Sequence, residues 1–191
     1  MDNLEVDSVI YQPAVNKSWH PLYGERSTVR EAYNEATMYL SKKDGSNYRL
    51  NIEVRAYDEG IAFRYFFPEH PQAIFHKVVG DLTEYTFSPG AMAWAEQWAQ
   101  APFEHLAIND IKQPVERALT VELSNGLWVA LTDADVDDWC LTKLVASPTK
   151  QNTLTSVMYS PVDIVTYYAT PWKVIMAADK PGELLEHNDI I

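Results

Sequence analysis

Hydrophobic and polar residues alternate most cleanly between Tyr48 and Pro68, where Leu50, Ile52, Val54 and Ala56 are separated by Arg49, Asn51, Glu53 and Arg55. Successive side chains of a strand point to opposite faces, so this period of two predicts a half-buried strand. Asp58, Glu59 and Gly60 then supply a turn, with Gly60 free to take positive φ, and Ile61, Phe63, Tyr65 and Phe67 resume the alternation. The stretch is predicted as a β-hairpin. A second hairpin follows the same logic. Leu119, Val121 and Leu123 alternate, Asn125-Gly126 turns the chain, and Leu127, Val129 and Leu131 return.

Shorter β-like runs cover 82–87, 139–145, 153–159, 164–168 and 172–177. Turn residues separate them at intervals of about 8–12 residues, the cadence of an all-β sandwich or barrel. Two segments depart from this pattern. In V-R-E-A-Y-N-E-A-T-M-Y-L (29–40), Val29, Tyr33, Ala36 and Leu40 stand at helical spacing among good helix formers, so taken alone it predicts a helix. The Ala-rich A-M-A-W-A-E-Q-W-A-Q-A-P-F-E (91–104) places Trp94 and Trp98 four apart and suggests a short helix or a structured loop. With no repeat, linker or low-complexity tract, residues 1–191 read as one domain.

Composition narrows the function classes. The 191 residues are 47% hydrophobic and 12% aromatic, a globular balance that can bury a substantial core. A net charge of −12 and a pI near 4.7 argue against nucleic acid and anionic membrane surfaces, which repel acidic proteins. No apolar run approaches the roughly 18 residues of a membrane helix. The acidic start, M-D-N-L-E-V-D-S-V-I, lacks the basic region and apolar stretch of a signal peptide. That leaves either a cytoplasmic protein or a numbering that begins after processing. The single cysteine, Cys140, excludes an intrachain disulfide.

Catalytic signatures are absent. There is no G-x-S-x-G, H-E-x-x-H, phosphate-binding glycine loop or paired-cysteine zinc spacing. His70, His76 and His105 lie in or beside loops, without two at metal-ligand spacing on one face. Cys140 follows an acidic run that would raise a thiol pKa, which disfavours a nucleophile. The four aspartates at 133, 135, 137 and 138 have the D-x-D-x-D opening of an EF-hand loop. An EF-hand needs Gly at the sixth loop position and Glu at the twelfth, where this chain has Asp138 and Leu144. That calcium loop is excluded. Six tryptophans and eleven tyrosines supply flat faces suited either to sugars or to a packed core and interface.

Several stretches in order resemble one family: W-H-P-L-Y-G-E-R (19–26), V-R-E-A-Y-N-E (29–35), I-E-V-R-A-Y-D-E-G-I-A-F-R-Y-F-F-P-E (52–69) and T-E-Y-T-F (83–87). A-W-A-E-Q-W-A-Q (93–100), R-A-L-T (117–120) and T-P-W-K-V-I-M-A-A-D (170–179) continue the series. Together they resemble the N-terminal domain of glycoside hydrolase family 97, bacterial α-glucosidases and α-galactosidases, over nearly the whole chain. The resemblance implies an antiparallel β-sandwich of the galactose-mutarotase super-sandwich type with few short helices. It turns 29–35 into a strand, against its helical spacing. It also implies that this chain is incomplete, truncated at its own N-terminus so that the family's further hairpins before Trp19 are missing. A catalytic (β/α)₈ barrel is expected soon after Ile191, with a periplasmic or secreted location.

The same resemblance implies roles for particular residues. D-A-D-V-D-D-W (133–139) matches a family pattern whose glutamate reaches toward the barrel as a calcium ligand, which puts Asp133 in that glutamate's place. Calcium is expected in the full-length enzyme and not to bind this chain tightly alone, since one ligand cannot hold an ion that takes about 6–8 oxygens. Trp94, Trp98, Phe103 and Glu104 are expected on the substrate side or at the interdomain surface. Catalytic residues are expected in the barrel, so none is assigned in this chain. The expected partner is an α-linked glucoside or galactoside, bound through that barrel. A fragment with open strand edges is also expected to self-associate. Two other function classes are a stand-alone carbohydrate-binding module using Trp94 and Trp98 as a platform, and an epimerase needing a His/Glu pair in one pocket.

Overall fold

The structure is a computed structural model and describes residues 3–70 and 74–191. Strands come in the order β1 (Leu4–Tyr11), β2 (Val15–Trp19), β3 (Val29–Lys42), β4 (Arg49–Tyr57), β5 (Gly60–Phe67), β6 (Phe75–Val78), β7 (Glu84–Thr86) and β8 (Met92–Ala95). Next are β9 (Glu104–Ala107), β10 (Leu119–Glu122), β11 (Trp128–Ala134), β12 (Thr142–Ala146), β13 (Thr153–Met158), β14 (Val162–Val165), β15 (Tyr168–Ala169) and β16 (Trp172–Ala178). One helical turn, α1 (Glu183–Glu186), and two 3₁₀ turns complete the described elements.

Every strand pairing among the described residues is antiparallel, as an all-β sandwich requires. The large sheet runs β1-β3-β4-β5-β16-β11-β10-β8-β9, with β2 beside β3 and β15 beside β5. A three-stranded sheet, β12-β13-β7, faces part of it, and β14-β6 forms a separate pair. Both hairpins stand where alternation placed them. Gly60 is required by space rather than by turn chemistry alone: a Cβ there would lie 2.2 Å from the carbonyl oxygen of Ile175 on β16. Gly126 takes φ +88° at the second turn, where Leu127 N–H also donates to Asn125 Oδ1 at 3.2 Å.

The helical spacing of 29–40 is overridden. β3 is a fourteen-residue strand paired along both edges, with β1 and β2 on one side and β4 on the other. Ladder pairing and cross-strand contacts such as Ala36 with Val54 and Met38 with Ile52 outweigh its helix propensity. Within 91–104, expected as a short helix or a structured loop, 96–103 is loop, while Met92–Ala95 is corrected to strand β8. There Ala93 and Ala95 are buried while Trp94 points away, a period of two hidden by alanine's helical preference. The residues before Trp19, given no element by alternation, form β1 and β2. These run along β3 as one edge interrupted at Pro13, which has no N–H to add to a ladder.

The main core lies between the two sheets. Leu119, Leu131, Leu144 and Leu154 are almost wholly buried there, with Val121 and Ile108 beside them. On the opposite face of the large sheet, Ala62, Trp172, Val174 and Met176 are covered by Leu184 of α1 and Ile190. Arg55 lies on that second face, its guanidinium carbon 4.4 Å from the ring centroids of both Tyr33 and Trp172, and it donates to Glu35 at 2.8 Å.

Candidate interdomain surface

One end of the sandwich carries most of the chemistry. Interior positions of adjacent strands are Leu119, Leu131 and Ile175, placed side by side by register. Two residues further along the same faces stand Arg117, Asp133 and Lys173, with Asp133 directly opposite Lys173. The apolar layer thus gives way to a charged one within a single step along each strand. Asp133, expected as a metal ligand, is 13% exposed and ion-paired with Arg117, whose side chain is 5% exposed. Thr142 Oγ1 donates to Asp133 Oδ2 at 2.8 Å.

Lys173 pairs with Asp81, both side chains under a tenth exposed. Thr83 donates to Asp81 Oδ1 from its backbone N–H at 2.9 Å and its hydroxyl at 2.6 Å, and shares a 2.8 Å bond with the Tyr65 hydroxyl. Burial alone would raise the Asp81 pKa. The Lys173 ammonium and the Thr83 hydrogen bonds outweigh it, so the carboxyl is held below its usual range. Burial lowers the Lys173 ammonium, an effect that Asp81 opposes. Burial drives the Tyr85 phenol well above the ordinary tyrosine value, which keeps it neutral beside these charges. Sequence reasoning missed Asp81, Arg117 and Lys173. The available signal was Lys173 itself, a lone cation inside the apolar run W-K-V-I-M.

The aspartates after β11 build a loop. Asp135 and Asp138 adopt positive φ (56° and 49°), a conformation that short polar side chains tolerate. The Tyr168 hydroxyl contacts the carbonyl oxygens of Asp137 and Asp138 at 3.2 and 3.1 Å, and the Tyr168 ring stacks on Trp139. The Asp135 carboxylate lies 3.7 Å from Arg64 and is mostly exposed. Among the described residues, no group of three His, Cys, Asp or Glu side chains converges as a metal site.

Outside this charged layer the end presents apolar side chains to solvent. Trp98, Val136, Leu141, Tyr159 and Tyr167 are all more than half exposed. Tyr159 N–H donates to Leu141 O at 2.9 Å, and Trp98 and Tyr159 line one groove of about 380 Å³ with Pro114, Val157 and Met158. Lys143 fixes the Trp98 turn by donating to Gln97 O at 2.8 Å while pairing with Glu116 at 2.7 Å. Phe103 and Glu104 lie where that turn re-enters the sheet as β9, both exposed.

Trp94 belongs elsewhere. It faces outward from the large sheet and stacks on His105, with ring centroids 4.4 Å apart. Trp94 and Trp98 therefore have different surroundings. His105 also lies 3.6 Å from Glu122 on this outer face, and neither residue lines the Trp98 groove. No helix among the described residues is long and apolar enough to cross a membrane.

This architecture recurs in solved structures. A glycoside hydrolase family 97 enzyme from Pseudoalteromonas sp. strain K8, in complex with panose, matches with a TM-score of 0.89 at 21% identity, over 96% of this chain and 29% of that one. The same enzyme in complex with acarbose matches with a TM-score of 0.86 at 21% identity, over 94% of this chain and 28% of that one. A β-arabinopyranosidase matches with a TM-score of 0.81 at 18% identity, over 93% of this chain and 32% of that one. The chain thus spans about a third or less of these proteins' length, and at such identities the likeness establishes the fold. The sequence profile of the glycosyl-hydrolase 97 N-terminal family covers residues 1–191, and the chain belongs to that family.

Proposed function

We propose that this chain is the non-catalytic N-terminal sandwich of an α-glycosidase, and that its Trp98–Leu141–Tyr159 end docks on a (β/α)₈ catalytic barrel and forms one wall of the substrate site. The observation carrying this reading is that end: aromatic and aliphatic side chains, more than half exposed, set on a rigid ion-paired layer. Apolar groups left in solvent together mark interaction surfaces, and a wall that orients a sugar must be held rigidly by the layer beneath. Phe103 and Glu104 would sit at the rim of this contact. The substrate class is an α-linked glucoside or galactoside, in a periplasmic or secreted enzyme.

The reading assigns no acid, base or nucleophile to residues 1–191; those belong to the barrel. The test uses the intact enzyme carrying this domain. Trp98→Ser combined with Tyr159→Ser should lower kcat/KM for an aryl α-glycoside at least tenfold and speed proteolytic cleavage between the domains. Unchanged kinetics with unchanged protease resistance would overturn the docking assignment. The open edges at β1 and β9 give the isolated domain routes to self-association by strand addition. Light scattering at rising concentration should show species larger than a monomer.

A further inference from the structure

We propose that Arg117 takes, at Asp133, the place a metal cation would occupy, making this end of the domain a self-contained and metal-independent charge cluster. Charge balance is the first ground. The buried groups are two carboxylates, Asp81 and Asp133, and two cations, Lys173 and Arg117, paired one to one. The layer is neutral without a further ion. A dication added beside Asp133 would leave it with excess positive charge next to a buried guanidinium.

Ligand supply is the second ground. Calcium takes about 6–8 oxygen ligands. Asp133 Oδ2 already receives Arg117 and Thr142, and only Oδ1 is uncommitted. Asp135 faces Arg64, and among the described residues no three His, Cys, Asp or Glu side chains converge to complete a shell around Asp133. The third ground is the pattern of unpaired atoms. Asp133 Oδ1 and Arg117 Nη1 are both buried without a partner. They are the complementary halves of a bidentate guanidinium–carboxylate fork, so a small side-chain adjustment satisfies both. A calcium role for Asp133, implied by the family resemblance, therefore does not fit the residues present.

The inference concerns the sandwich alone and stands whether or not its end docks on a barrel. Thermal unfolding of the intact enzyme carrying this domain, as wild type and as Asp133→Asn, is measured with millimolar calcium and with chelator. The melting temperature should respond to calcium identically, within about 1 °C, in wild type and Asp133→Asn, because Asp133 is committed to Arg117. Arg117→Met and Asp133→Leu should each lower it by roughly 6–15 °C, while the double variant recovers most of that loss, as expected for a buried pair that is costly to half-remove. If calcium raises the wild-type melting temperature by several degrees and Asp133→Asn abolishes the rise, Asp133 holds a metal and the proposal is wrong. A double variant less stable than either single one would equally overturn it. Should a hydrophobic single variant fail to fold, the calcium response of wild type against Asp133→Asn still decides.

Discussion

Two layers lie side by side between the same sheets, and they solve burial in opposite ways. Leu119, Leu131 and Ile175, with Leu144 above them, exclude water by packing. Arg117, Asp133 and Lys173, with Thr142 above them, occupy the next interior positions and exclude it by pairing charges. An apolar layer tolerates a partial loss, since neighbours can relax toward a cavity. A charged layer does not, because removing one partner leaves an uncompensated buried charge. The fold therefore rests on the first layer, while the second is held rigidly at the end where the exposed aromatics stand.

The sharpest way to break the comparison is Lys173→Met. It leaves Asp81 buried without its cation and should cost about 3–5 kcal/mol in urea unfolding, whereas pairing it with Asp81→Leu should restore most of that stability. A loss below about 1 kcal/mol would mean that water reaches the pair and that the two layers do not differ in kind.

Leu144→Ala tests the apolar side. Its side chain is fully buried in the main core, so about 2–5 kcal/mol should be lost through transfer and cavity terms. Here no second substitution is expected to rescue stability, in contrast to the charged layer. Rescue by an unrelated small-to-large change nearby would show that this core collapses more readily than its packing implies.

The contrast also explains what could be read along the chain. Both hairpins were legible because their alternation is complete and their turns carry Asp58-Glu59-Gly60 and Asn125-Gly126. β8 was hidden because its inward residues are alanines, whose small volume fits the core but whose propensity favours helix. β6 and β9 are four residues each and mix charged with apolar positions, too short to display a period. Asp133 stood out because it belongs to an acidic run. Its partner Arg117 continues the register of the second hairpin two residues beyond the Leu119–Leu131 pair, outside the alternation that marks β10, and Asp81 is joined to Lys173 only by the closing of the sandwich. A pairing made only by that closure leaves no local spacing to recognise.

Acid should separate the layers as well. The Asp81 pKa is lower folded than unfolded, so the native state binds fewer protons than the unfolded state near the ordinary aspartate range. Its stabilising contribution is present above the unfolded value, near 3.8, and is lost as pH falls from there through the lower folded value. The melting temperature should drop across that window, and Asp81→Asn should flatten the drop while lowering stability at neutral pH. An Asp81→Asn protein with the same acid slope as wild type would assign the slope to other carboxylates.

The smallest expected effect is on the exposed apolar end. Trp98 projects into solvent from a turn that Lys143, Glu116 and the Gln97 carbonyl already fix, so its ring contributes little to the fold of this chain. Trp98→Ala should change unfolding free energy by no more than about 0.5 kcal/mol, the usual range for a surface substitution. Trp94→Ala is the matched control, since it also removes an exposed indole, but one stacked on His105 on the outer face of the sheet. If Trp98→Ala instead costs as much as Leu144→Ala, the ring is part of the core, and the end of the sandwich is not a surface kept free for a partner. A near-neutral result in this chain, together with lost activity in the intact enzyme, would separate docking from folding at a single side chain.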